Sequence, residues 1–142
     1  MSHTIRWILA VLFVPLGLVS LLMAFKSFFS RGFLPFHEKA VGRRWDEVDH
    51  GLQHVVTALK QSTGLGFAVV GLQLVVFPFL DFVKSDPLLL RSVGFSSFLF
   101  CAGLAFVNYR LKERTGAATP WLGSLFAAGA ILAAIIASFV IP

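Results

Sequence analysis

Residues 43–80 read RRWDEVDHGLQHVVTALKQSTGLGFAVVGLQLVVFPFL. The first half is charged and amphipathic, and the second half, from Ser62, carries no charge. About 20 apolar residues are needed to cross a hydrocarbon core about 30 Å thick. The uncharged run Ser62–Leu80 has 19, so this stretch describes a helix that starts in water and ends in lipid. Three further uncharged runs accompany it: Trp7–Phe25 (19 residues), Ser92–Tyr109 (18) and Gly116–Pro142 (27). Together they predict an all-α fold, a four-transmembrane-helix bundle forming a single membrane domain over residues 1–142. The expected spans are about 5–25, 52–82, 87–110 and 119–141.

Composition points the same way. Hydrophobic residues make up 57% of the chain and charged residues 13%, against roughly 45–50% and 25% in soluble domains. The net charge of +5 does not indicate nucleic acid as a partner. The cations sit beside apolar runs, where they orient the chain and meet anionic headgroups. The expected partner is therefore the lipid bilayer, with other membrane subunits or further copies of the chain as additional candidates. Cys101, the single cysteine, cannot form an intramolecular disulfide and reads as a small buried side chain. The first apolar run is longer than a signal-peptide core and lacks a small-residue cleavage site, so an uncleaved first helix is expected.

Asp46 is the expected N-cap of the second span, with Asp49 three residues later in the manner of a capping box. A helix over 46–80 would hold 35 residues, or about 52 Å at 1.5 Å per residue. It would be long and projecting, with Gly64 and Gly66 as the place for a bend. The segment before it, residues 26–42, interleaves Phe28, Phe29, Phe33 and Phe36 with Lys26, Arg31 and Lys39. Aromatic and basic residues together suit the headgroup boundary, which predicts a short interfacial segment between helices 1 and 2. Trp45, Tyr109 and Trp121 are expected interface anchors as well. Pro15 and Gly17 mark a kink in the first span. Asp86 and Pro87 read as cap and first helical residue of the third span, and Thr119 and Pro120 as the same pair for the fourth. Two small-residue rows on the fourth span, Gly123/Ala127 with Ala130/Ala134 and Gly129/Ala133/Ala137, predict close helix packing.

One polar constellation stands out. Arg43, Glu47, His50, His54, Thr57 and Gln61 follow one another at spacings of 4, 3, 4, 3 and 4, which is one helical face. Lys60 flanks it. The candidate polar site is Glu47, His50, His54, Thr57, Lys60 and Gln61. It reads first as a solvated face, with Lys60 snorkelling and the acids paired with Arg110, Lys112 and Arg114. It reads second as the polar entrance to a cavity for an ion or small solute, although only Gln73 and Asn108 add polarity deeper. It reads third as a metal site on His50 and His54, with His37, Glu38 or Asp46 supplying further ligands. No cofactor is expected, and no nucleophile constellation, phosphate loop or Cys-x-x-Cys occurs.

The segments after spans one and three carry eight Lys and Arg residues, against three in the N-terminal tail, second loop and C-terminus. The positive-inside rule then puts both termini outside and loops one and three in the cytoplasm. The RTGAATPW segment (Arg114–Trp121) and the RRWDEVDHGLQ stretch (Arg43–Gln53) resemble connections in small four-span bacterial membrane proteins, a family with no activity attached. The resemblance implies a bacterial cytoplasmic membrane and no particular chemistry. Four-span glutathione-handling enzymes have a similar size, but RRWDEVDHGLQH does not reproduce their dense Arg/His/Asn/Glu pattern. The sequence thus leads to a non-enzymatic accessory or assembly subunit, or a homo-oligomer. A small-solute or ion transport module and a metal-binding membrane enzyme stand as alternatives.

Overall fold

A computed structural model describes residues 3–30, 32–80 and 87–140. Among them the chain forms five α-helices and no strand: α1 (His3–Phe29), α2 (Pro35–Val41), α3 (His50–Val76), α4 (Pro87–Thr115) and α5 (Trp121–Val140). Short 3-10 turns lie at Trp45–Glu47 and Phe77–Phe79. Four of the helices, α1, α3, α4 and α5, are long and apolar enough to cross a membrane, so the chain has the architecture of an integral membrane protein. The expected Asp86 cap, Arg31 and Lys84 lie outside the described residues.

The second long helix begins later than the sequence suggests. Asp46 and Glu47 belong to the 3-10 turn, and Val48 is extended and buried. Asp49 is the N-cap, its carboxylate accepting from the Leu52 N–H at 3.2 Å. The cause is Gln53, whose side-chain amide donates to the carbonyls of Trp45 (2.8 Å) and Val48 (3.0 Å). That one side chain supplies a donor to two carbonyls that a longer helix would have bonded internally, and the Trp45 carbonyl also accepts the Val48 N–H at 3.3 Å. The 27 residues of α3 still give about 40 Å of length, more than the hydrocarbon core needs. The helix runs unbroken through Gly64 and Gly66. It ends where Pro78, which has no N–H to continue the ladder, enters the final 3-10 turn.

The four long helices form two antiparallel pairs. α1 packs chiefly on α3, and α4 on α5, with slighter contact between the pairs. Glycine sets the α1–α3 distance. A Cβ on Gly17 would lie 2.9 Å from the Gly71 carbonyl oxygen, and a Cβ on Gly71 would lie 2.9 Å from that of Gly17. Further along, Gly64 faces Ser27 and the Phe28 ring. Close backbone approach of this kind holds helices together where lipid removes the hydrophobic drive. The small-residue rows expected to pack on α5 divide: Ala134 is buried and Ala127 packs against the core, but the glycines do not face a neighbour among the described residues. A Cβ added to Gly123 or Gly129 meets nothing within 4 Å, whereas Ala128, Ile131, Ala134 and Ser138 form the buried face.

The pairs meet through Phe13, Leu74, Leu90 and Ile131, one from each long helix and all enclosed. A Cβ on Gly94 would lie 3.0 Å from the Ile135 side chain and 3.5 Å from the Phe13 ring. Phe100 reaches from α4 to α3, its ring 5.3 Å from that of Phe67. Cys101 is buried in this core. Leu18, Leu22, Leu59, Leu65, Phe106 and Phe126 are all more than half exposed. Large apolar side chains pointing outward are what a bilayer requires of its solvated surface.

Substituting Gly71 by Val forces a branched side chain into backbone and should destabilise the fold by about 1–3 kcal/mol. Gly103→Ala, at an open position of α4, should be neutral or stabilising by up to about 1 kcal/mol. Reversible unfolding in mixed micelles separates the two outcomes.

Candidate functional site

Four of the candidate polar residues, His50, His54, Thr57 and Gln61, keep their shared face on α3, while Glu47 lies outside the helix and the flanking Lys60 points elsewhere. Glu47 sits in the 3-10 turn, where its carboxylate accepts from the Arg44 N–H at 3.1 Å. His50 is the first residue of α3, and His50, His54 and Gln61 are exposed. Thr57 is half-buried. Lys60 alone is enclosed, at 6% exposure. It lies on the face that carries Gly64, Val70, Gly71 and Leu74 toward the bundle interior. The residues that flank this face on the outside, Leu52, Val55 and Leu59, are at least half exposed. A helix in lipid turns its charge inward and its leucines outward, which is why Lys60 does not snorkel as expected.

Its ammonium is held by the end of α1. Lys60 Nζ donates to the carbonyl of Ser30 at 2.6 Å and to that of Gly32 at 3.0 Å. The last carbonyls of a helix have no intrahelical donor, and a cation there also meets the negative end of the helix dipole. Gly32, at φ +94°, takes the left-handed conformation that glycine adopts without strain. That conformation turns its carbonyl back toward α3. Lys60 therefore clasps α1 to α3 at the end where loop one leaves the bundle.

The far end of the second pair is closed in the same manner. Arg91, near the start of α4, donates from Nη2 to the Ser138 carbonyl at 2.6 Å and from Nε to Ser138 Oγ at 3.2 Å. Its guanidinium lies 3.8 Å from the Phe139 ring centroid. Ser138 belongs to the last turn of α5, so this cation also serves orphan carbonyls. Sequence reading did not pair either cation with a helix end. Both cations lie just ahead of an uncharged run, Lys60 before Ser62 and Arg91 before Ser92.

Around Lys60 the loop is aromatic. The Phe33 and Trp45 rings pack edge to face at 4.8 Å, and the Phe36 and His37 rings lie 4.2 Å apart. These three aromatics thus pack on the loop itself, while Phe28 and Phe29 belong to the last turn of α1. The expected interfacial segment over 26–42 is therefore part helix α1 and part loop plus α2. On the other connection, Tyr109 and Trp121 rings meet at 5.3 Å, and Lys112 Nζ lies 5.3 Å from the Trp121 ring. Thr119 does not cap α5. Its hydroxyl donates to the Asn108 carbonyl at 2.8 Å and ties the loop back to α4.

His37 Nδ1 is enclosed and has no hydrogen-bond partner, and Ser30 Oγ is in the same condition. Burial holds the His37 imidazole below its ordinary value of 6.5, and the Lys60 charge pushes in the same direction. The acids expected to pair with Arg110, Lys112 and Arg114 are engaged elsewhere or exposed. The ion pair seen in this region joins Arg44 to Asp46 at 3.3 Å within the loop, with both side chains largely exposed. Among the described residues no three His, Cys, Asp or Glu side chains converge as a metal site would need. A shallow groove lies outside α2, lined by Glu38, Lys39, Arg43 and Glu47.

The fold and the two clasps define the chain as a small helical membrane bundle whose Lys60 and Arg91 side chains serve helix ends. Compared with protein-family models, curated proteins and solved structures, it matches none of them.

Replacing Lys60 by Met leaves two carbonyls without their donor and should cost about 1–3 kcal/mol for each. Gln61→Ala, at the exposed neighbouring position, should stay within about 0.5 kcal/mol. Unfolding midpoints of the two variants in one detergent check this.

Proposed function

We propose that this protein is a non-enzymatic packing subunit of a membrane assembly, associating with other membrane subunits or with further copies of itself. The outer face of α5 carries this reading. Gly123, Gly129 and Ala133 are exposed there, beside Phe126 at 77% exposure. Glycine within a helix costs about 1 kcal/mol relative to alanine, and no contact among the described residues makes use of Gly123 or Gly129. A second helix approaching α5 closely would use them. The polar groups inside the bundle support the same reading, because Lys60 and Arg91 are spent on helix ends. The transport and metal-enzyme alternatives draw less support: His50 and His54 are exposed and lack a convergent third ligand.

In the same reading loops one and three lie in the cytoplasm and both termini outside, in a bacterial cytoplasmic membrane. Lys26, Lys39, Arg43, Arg44, Arg110, Lys112 and Arg114 all lie at the Lys60 end of the bundle or in the loop attached to it. That asymmetry is what positive-inside insertion acts on.

Cysteines introduced at Gly129 or Ala133 should cross-link in native membranes into a dimer or a defined larger adduct, while one at Gly103 should not. Gly129→Leu should abolish the adduct without lowering the unfolding midpoint. A monomer throughout, with no adduct from either position, overturns the assembly reading.

A further inference from the structure

The seven-residue helix α2 has no buried residue of its own. Rings join it to the rest of loop one, with His37 among them, and the helix itself touches α4. His37 packs 4.2 Å from Phe36 and 6.5 Å from Phe33, and Phe33 in turn packs on Trp45. Its Nδ1 is shut away from water and meets neither donor nor acceptor. Beside it the Lys60 ammonium is enclosed by neutral carbonyls. The other ionisable side chains at this end are exposed: Lys26 on α1, Glu38 and Lys39 on α2, Asp46 and Glu47 in the 3-10 turn, Asp49 and His50 at the start of α3. On α4, which also touches α2, Tyr109, Arg110, Lys112, Glu113 and Arg114 are exposed too. Lys60 is the charge that acts on His37. Among the described residues no carboxylate is enclosed with the pair to offset a second cation.

We propose that His37 is a proton-operated catch, which keeps α2 docked on the Lys60 end of the bundle while neutral and releases it on taking up a proton. A proton on Nδ1 creates an enclosed N–H with no acceptor and places a second positive charge beside Lys60. Both effects disfavour the docked arrangement. Once α2 swings out, the imidazolium is solvated and the Lys60 clasp between α1 and α3 remains.

The direction with pH follows from linkage. The docked imidazole binds its proton less readily than the released one, whose ordinary value is 6.5. Docking strength is therefore fully present above pH 6.5 and is lost as pH falls from there through the docked value. In this window each unit of pH weakens docking by up to about tenfold.

Hydrogen exchange of the α2 amides, read in the full chain in lipid nanodiscs and corrected for intrinsic rates, tests the catch. Between about pH 7.5 and 5, exchange of residues 36–41 should rise by about tenfold or more, while α3 amides stay protected. His37→Phe keeps the ring contacts and cannot titrate, so its α2 exchange should be the same at both pH values. His37→Gln, smaller and also unable to titrate, should show no pH dependence whether it docks or not. The His37 ring resonance should titrate below 6.5. Equal exchange of the wild type at both pH values, a pH dependence retained in both variants, or a ring that titrates at or above 6.5 overturns the proposal.

Discussion

A helix that ends in or near hydrocarbon must find donors for its last carbonyls, because no water is at hand to supply them. This chain meets that demand with two cations. Lys60 of α3 closes the end of α1, and Arg91 of α4 closes the end of α5. Each cation comes from the partner helix of its own antiparallel pair, so each bond that satisfies a backbone also fixes a pair in register. The two clasps lie at opposite ends of the bundle, one where loop one leaves it and one near the final turn of α5. Burying a charge here is tolerable because the carbonyls are dipoles already oriented toward it.

Between the clasps, close approach does the holding. The Gly17–Gly71 crossing lets α1 and α3 touch backbone to backbone, and Gly94 opens α4 to Ile135 and Phe13. The pairs then share a thin core around Phe13, Leu74, Leu90 and Ile131. A four-helix chain of this size has little interior. Only 22% of the most apolar window of α5 is buried within the chain, and that helix keeps glycines on its outer side. The reading as a packing subunit grows from that imbalance: internal packing uses one face of α5, and the composition of the other suits a neighbour.

Loop one is the part of the molecule where lipid, water and protein meet. Its aromatics pack on one another and on His37 instead of lying singly at a boundary, since Phe33, Phe36 and Trp45 are brought together by the Gly32 turn and the 3-10 turn. That small aromatic cluster, near a buried lysine, surrounds the half-buried imidazole of His37. It is also why the short helix α2 can sit against the bundle without burying a residue of its own.

The amino-acid sequence alone determined the class, the number of crossings and their approximate ends. Those follow from the length of uncharged runs against the thickness of hydrocarbon, a local property that needs no knowledge of neighbours. It also marked Cys101 as a buried side chain. Tertiary structure decided the rest. A helical repeat can say that residues share a face but not which way that face points. The stripe therefore lost Glu47 once the helix began at His50, and the flanking Lys60 turned inward, while His50, His54 and Gln61 stayed exposed. The glycines told the same story: their number was plain in the chain. That Gly17 and Gly71 meet while Gly123 and Gly129 look outward depends on how helices distant in sequence lie against one another.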